Sequence, residues 1–113
     1  MRDKKVTEVN TLPISSSKPI KVKLTVISDN KEAITTSIDA LVKFLEVTLG
    51  EVGYTRPAWD FSPSTKRYKF VIDISVKEHS KQEVDETFDE YRNMAVQVLT
   101  QRNVTINFHW DIS

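Results

Sequence analysis

Between Arg67 and Lys77 apolar and polar residues alternate. Tyr68, Phe70, Ile72, Ile74 and Val76 share one parity, while Arg67, Lys69, Asp73, Ser75 and Lys77 share the other, interrupted only by Val71. A period of two predicts a half-buried β-strand. The pattern recurs near the start, where Ile20, Val22, Leu24 and Val26 alternate with Lys21, Lys23 and Thr25. It recurs again at the end, where Val104, Ile106, Phe108, Trp110 and Ile112 alternate with Thr105, Asn107, His109 and Asp111.

Two segments carry helical spacing instead. Ile34, Ile38, Leu41, Leu45 and Leu49 form one stripe, with Asp29 expected as N-cap, Glu32 completing a capping box, and Gly50 as the stop. Val84, Phe88, Tyr91, Ala95, Val98 and Leu99 form a second stripe and predict a helix over 81–102, opened by the box Ser80–Glu83. Glu83, Asp85 and Glu86 at its start and Arg102 at its end suit the helix dipole. Residues 54–61, YTRPAWDF, have the aromatics of a strand, but Pro57 lacks the N–H that a central ladder needs. That segment is expected at a sheet edge, joined to the Arg67 strand by the turn SPSTK.

The resulting order is strand, helix, strand, strand, helix, strand. Right-handed crossovers place the first and third strands at the centre and the second and fourth at the edges. The expectation is an α+β, ferredoxin-like split βαβ sandwich (βαββαβ), a four-stranded antiparallel sheet with two helices on one face. It fills a single domain over 19–113. Residues 1–18 are polar, with Ser15 to Ser17 and the punctuation of Pro13 and Pro19, and are expected to form a flexible arm. Val6, Val9, Leu12 and Ile14 are the apolar residues that would let this arm lie on the domain or add a strand to a neighbour.

Composition narrows the function classes. The 113 residues suit one core, and 16 basic against 16 acidic residues leave no overall field towards nucleic acid or an anionic membrane. The absence of cysteine excludes disulfides, thiolate catalysis and cysteine-held metals. No apolar run approaches the roughly 20 residues of a membrane helix. The opening MRDKKVTEVN has no apolar core of a signal peptide, so a cytoplasmic location is expected.

Candidate chemistry is sparse. His79 and His109 are the only histidines, without His-x-x-x-His or Glu-x-x-His spacing, and Gly50 and Gly53 form no phosphate loop. No metal and no cofactor are expected. Asp111 shares a face with His109 and is placed to orient its imidazole, a minimal general-base pair, but no nucleophile stands beside them and no catalytic residue is assigned.

The sheet face away from the helices is expected to be open and basic at its centre, from Lys21, Lys23, Lys69 and Lys77. RNA-recognition motifs share this topology and stack bases on aromatics of the central strands. Here Tyr68 and Phe70 take the helix-facing parity, so the chain departs from that pattern. The reading that results is a small non-catalytic protein-binding module, interaction or regulatory. It would hold another protein through its edge strands, through an Arg56, Trp59 and Phe61 hot spot, or through the acidic face of Glu83, Glu86 and Glu90. A homodimer is compatible with it. One alternative is nucleic-acid or polyanion binding on the four lysines, salt-sensitive and without stacking. Another is a dimeric α+β barrel enzyme enclosing a small molecule between two open faces.

Overall fold

In the computed structural model, residues 19–113 are described; the arm expected over 1–18 lies outside them. The three alternating segments become β1 (Ile20–Ser28), β3 (Arg67–Val76) and β4 (Ile106–Ile112), the aromatic segment expected over 54–61 becomes β2 (Val52–Ser62), and the helical stripes become α1 (Lys31–Leu49) and α2 (Lys81–Gln101). The sheet is antiparallel throughout, in the order β2-β3-β1-β4. This is the expected ferredoxin-like α+β arrangement, with the proline-containing strand at an edge.

Register explains the core. Val22 stands opposite Ile74 and Ile112, and Leu24 opposite Ile72 and Trp110, so the apolar parity of each strand points to one side. There Val22, Leu24, Val26, Ile74 and Val76 are buried with Ile34, Leu41 and Leu45 of α1 and Val84, Phe88 and Tyr91 of α2. Each such aliphatic or aromatic side chain contributes roughly 1.5–3 kcal/mol by leaving water.

The helix ends differ in detail from expectation. Asn30, not Asp29, caps α1: its side chain accepts from the Ala33 amide at 3.0 Å, and Glu32 completes no box. The cause is Ser28, the last residue of β1. Its buried hydroxyl donates to the Thr105 carbonyl at 2.6 Å and accepts from the Asn30 N–H at 3.1 Å, so the chain leaves the sheet one residue later. Gly50 does end α1, at a φ of 81° that favours glycine. At α2 the Ser80–Glu83 box forms as expected. Its C-terminus closes with Asn103 at φ 61°, donating to Thr100, while Val104 donates to Leu99. Those two bonds make a Schellman closure with asparagine in the left-handed position. The last strand consequently starts at Ile106, two residues later than the alternation from Val104 implied.

Two contacts tie the helices together. The Tyr91 phenol of α2 donates to the Ser37 carbonyl of α1, and burial pushes its pKa up to about 12. At the other end His79 sits between the helices, its Nε2 2.8 Å from the Leu49 carbonyl and its Nδ1 3.6 Å from Glu83. The Ser80 amide, donating to Glu83, holds that carboxyl below its usual range, and His79 adds to the effect. Val98 is the residue of the α2 stripe that misses the core: it is 49 % exposed. No helix among the described residues is long and apolar enough to cross a membrane.

Candidate interaction surfaces

Among the described residues β2 pairs only with β3, and its ladder slips once. Thr55 pairs with Asp73 and Ala58 with Val71, so Arg56 and Pro57 together oppose Ile72. Arg56 takes φ 57° in this bulge. A bulge with a proline is a common device for blunting a free edge. It also resets parity: Tyr54 and Trp59, five positions apart, come to lie on the same helix-side face, opposite Ile74 and Phe70.

An aromatic cluster results. The Trp59 ring stacks on Phe70 at 4.8 Å and the Phe61 ring on Tyr68 at 4.7 Å, both tilted, with the Lys31 ammonium 5.1 Å over the indole. Phe70 is buried, but Trp59 and Phe61 remain 42 % and 44 % exposed. Every β2 residue from Thr55 to Phe61 is exposed, between a part-buried Tyr54 and a part-buried Ser62. The two aromatics thus extend the core surface past its own edge.

Arg56 does not join them. Its guanidinium reaches Asp73 at 3.5 Å, on the opposite, open face, where Lys21, Thr55 and Ser75 complete a shallow depression of about 510 Å³. The expected trio is therefore divided between the two sides of the sheet, and Lys31 takes the cationic place beside Trp59.

Lys21, Lys23 and Lys69 do share the open face, and Lys77 follows β3 directly. Carboxylates are interleaved with them: Lys23 stands between Asp73 and Asp111, and Lys69 opposes Asp60. The face is mixed in sign, not uniformly basic. Its middle row, His109, Thr25, Val71 and Ala58, carries the one apolar interruption of the β3 alternation. His109 lies 3.4 Å from Asp111, as parity implied, with 71 % of its side chain exposed.

The acidic residues of α2 divide by task. Glu83 belongs to the capping box, Glu86 accepts from Gln82 at 3.2 Å, and Glu90 is exposed. Asp85 accepts from the Trp110 indole at 2.9 Å, and Arg92 lies 5.3 Å over the same ring while pairing with Asp89. α2 packs on β4 and α1, whereas β2 packs on α1, so this surface and the Trp59 cluster are on opposite flanks.

Sequence reasoning did not single out the groove between the helices. Thr36 and Ala40 of α1, Met94, Ala95 and Val98 of α2, and Arg102 at the α2 C-cap line an apolar hollow of about 230 Å³. Met94 and Val98, four apart, were its signal.

No protein-family model and no curated protein matches the sequence. Solved structures do. The C-terminal domain of the MgtC protein from Mycobacterium tuberculosis is similar with a TM-score of 0.58 at 9% identity, covering 88% of this chain and 94% of that one. A de novo designed protein with ferredoxin fold, LFR1 1, gives 0.55 at 12% identity, covering 83% and 85%. A chain assigned as a glycine cleavage system transcriptional repressor gives 0.54 at 14% identity; 88% of this chain matches 51% of that one. At these identities the likeness is one of fold.

Proposed function

We propose that this protein is a non-catalytic interaction module of a regulatory kind, and that it holds a protein partner at the Trp59 and Phe61 edge. The observation that carries the reading is the pair of half-exposed aromatics, aligned on one face by the Arg56–Pro57 bulge and anchored on Phe70 and Tyr68. Interface hot spots are enriched in rigid aromatics whose bases are already ordered. Lys31 beside the indole supplies a charge that would select an acidic neighbour on the partner. The fold neighbour named as a transcriptional repressor supports the regulatory colour.

The test is capture of protein from host lysate with and without nuclease, using the native chain and a Trp59→Leu/Phe61→Leu variant. Leucine keeps apolar cover on Phe70 and Tyr68 while removing the aromatic faces. Nuclease-resistant capture lost in the variant, with circular dichroism unchanged, is the expected result. Equal capture by both chains refutes the site. Capture that disappears on nuclease treatment moves the assignment to Lys21, Lys23, Lys69 and Lys77.

A further inference from the structure

The two sheet edges are built differently. β2 is interrupted in its middle by a bulge and a proline, whereas β4 runs seven residues with neither, and among the described residues no strand covers its outer side. A regular, uncovered edge is a template for another strand.

Which backbone groups β4 offers follows from its register. Lys21 and Ser113 exchange both hydrogen bonds, at 3.1 and 2.8 Å. In an antiparallel ladder such pairs alternate with non-bonded ones. Asp111, His109 and Asn107 therefore aim their N–H and C=O groups at β1. Ile112, Trp110, Phe108 and Ile106 aim theirs outward, and their side chains face the helices.

We infer that the occupant of this edge is β4 of a second copy, in a two-fold dimer whose axis passes beside His109. Antiparallel pairing must match outward residues with outward residues. The register that uses all seven positions sets Phe108 against Trp110 and Ile106 against Ile112, reciprocally, with His109 against itself in a non-bonded pair. Aromatic meets aromatic and isoleucine meets isoleucine on the helix side; on the open side Asn107 meets Asp111, a donor opposite an acceptor. The groups flanking the edge are self-complementary too. Asp85, Asp89 and Arg92 lie beside Trp110 on each copy, so both signs of charge flank the axis on either side. The product is a continuous eight-stranded sheet with both helix layers on one side and the two Trp59 clusters at its far ends. The inference does not depend on what those clusters bind.

Sedimentation equilibrium combined with amide hydrogen exchange tests it on the full chain. The expected mass is twice 13.0 kDa. Amides of Phe108, Trp110 and Ile112 should exchange at least tenfold more slowly at high than at low protein concentration, while those of His109 and Asp111 stay protected throughout. His109→Glu places two carboxylates across the axis beside Asp111, on a side chain exposed enough to leave the fold intact. It should return the mass to 13.0 kDa with native circular dichroism. A monomeric native chain, a dimeric His109→Glu chain, or protection of the outward amides that is independent of concentration each overturns the inference. The last result would assign the edge to residues 1–18 of the same chain.

Discussion

Trp59→Ala separates the structural share of the proposed site from its binding share. With 42 % of its surface exposed, Trp59 covers roughly 140 Å² of the ~250 Å² a buried tryptophan hides, which at about 25 cal/mol/Å² is near 3.5 kcal/mol. A more compact unfolded chain and the methyl that alanine retains bring this to about 2 kcal/mol. Losing the tilted stack on Phe70 adds about 0.5–1.5 kcal/mol, and losing Lys31 over the ring about 0.5 kcal/mol. The expected cost is about 3 kcal/mol. For a domain of this size that lowers Tm by roughly 12–24 °C. Urea unfolding followed by far-ultraviolet circular dichroism measures it against the native chain. A loss below about 1 kcal/mol would refute the packing of Trp59 on Phe70, and the cluster would then be a loose surface feature instead of an anchored one.

Three further outcomes follow from single contacts. His79→Ala removes the bond to the Leu49 carbonyl and support for the Glu83 cap, costing about 1 kcal/mol in urea unfolding; His79→Gln, which keeps a donor, should recover part of that. Asn30→Ala should cost about 1 kcal/mol by the same assay, and Asp29→Ala under half of that, because only Asn30 caps α1. Tyr91, whose pKa is raised to about 12, contributes stability that is complete below the unfolded value near 10 and declines as pH rises from there towards 12. The total at stake is on the order of 2 kcal/mol. Thermal melts across that window should fall more steeply for the native chain than for Tyr91→Phe.

The fold was legible because it depends on periodicity. Three alternating runs, one aromatic segment and two helical stripes in this order admit few arrangements, and Pro57 independently marked an edge. Details governed by single side chains were less visible. Asp29 and Asn30 are both good caps, and the choice between them was made by the Ser28 hydroxyl, whose partner Thr105 lies 77 positions away. Val98 fits the spacing of a buried stripe, yet α1 presents only Thr36, Ser37 and Ala40 to that turn of α2, too little bulk to cover it. The division of Arg56 from Trp59 was legible in principle. Tyr54 and Trp59 have opposite parity, and for both to face the core the strand between them needs one extra residue.

That extra residue links the architecture to the proposed activity. A regular β2 would carry Ala58 and Asp60 on the face of Tyr54 and turn Trp59 and Phe61 to the mixed, open side, away from Phe70 and Tyr68. The bulge keeps the aromatics on their anchors and at the same time places Pro57 and a left-handed Arg56 where a neighbouring strand would have to pair. One local irregularity thus suits the β2 side to the side-chain recognition proposed for it and disfavours strand addition there. The β4 side has the opposite character, because its alternation is unbroken and its outward N–H and C=O groups form a continuous row. A protein with these two edges has a physical reason to meet its own copy along one and a different partner along the other.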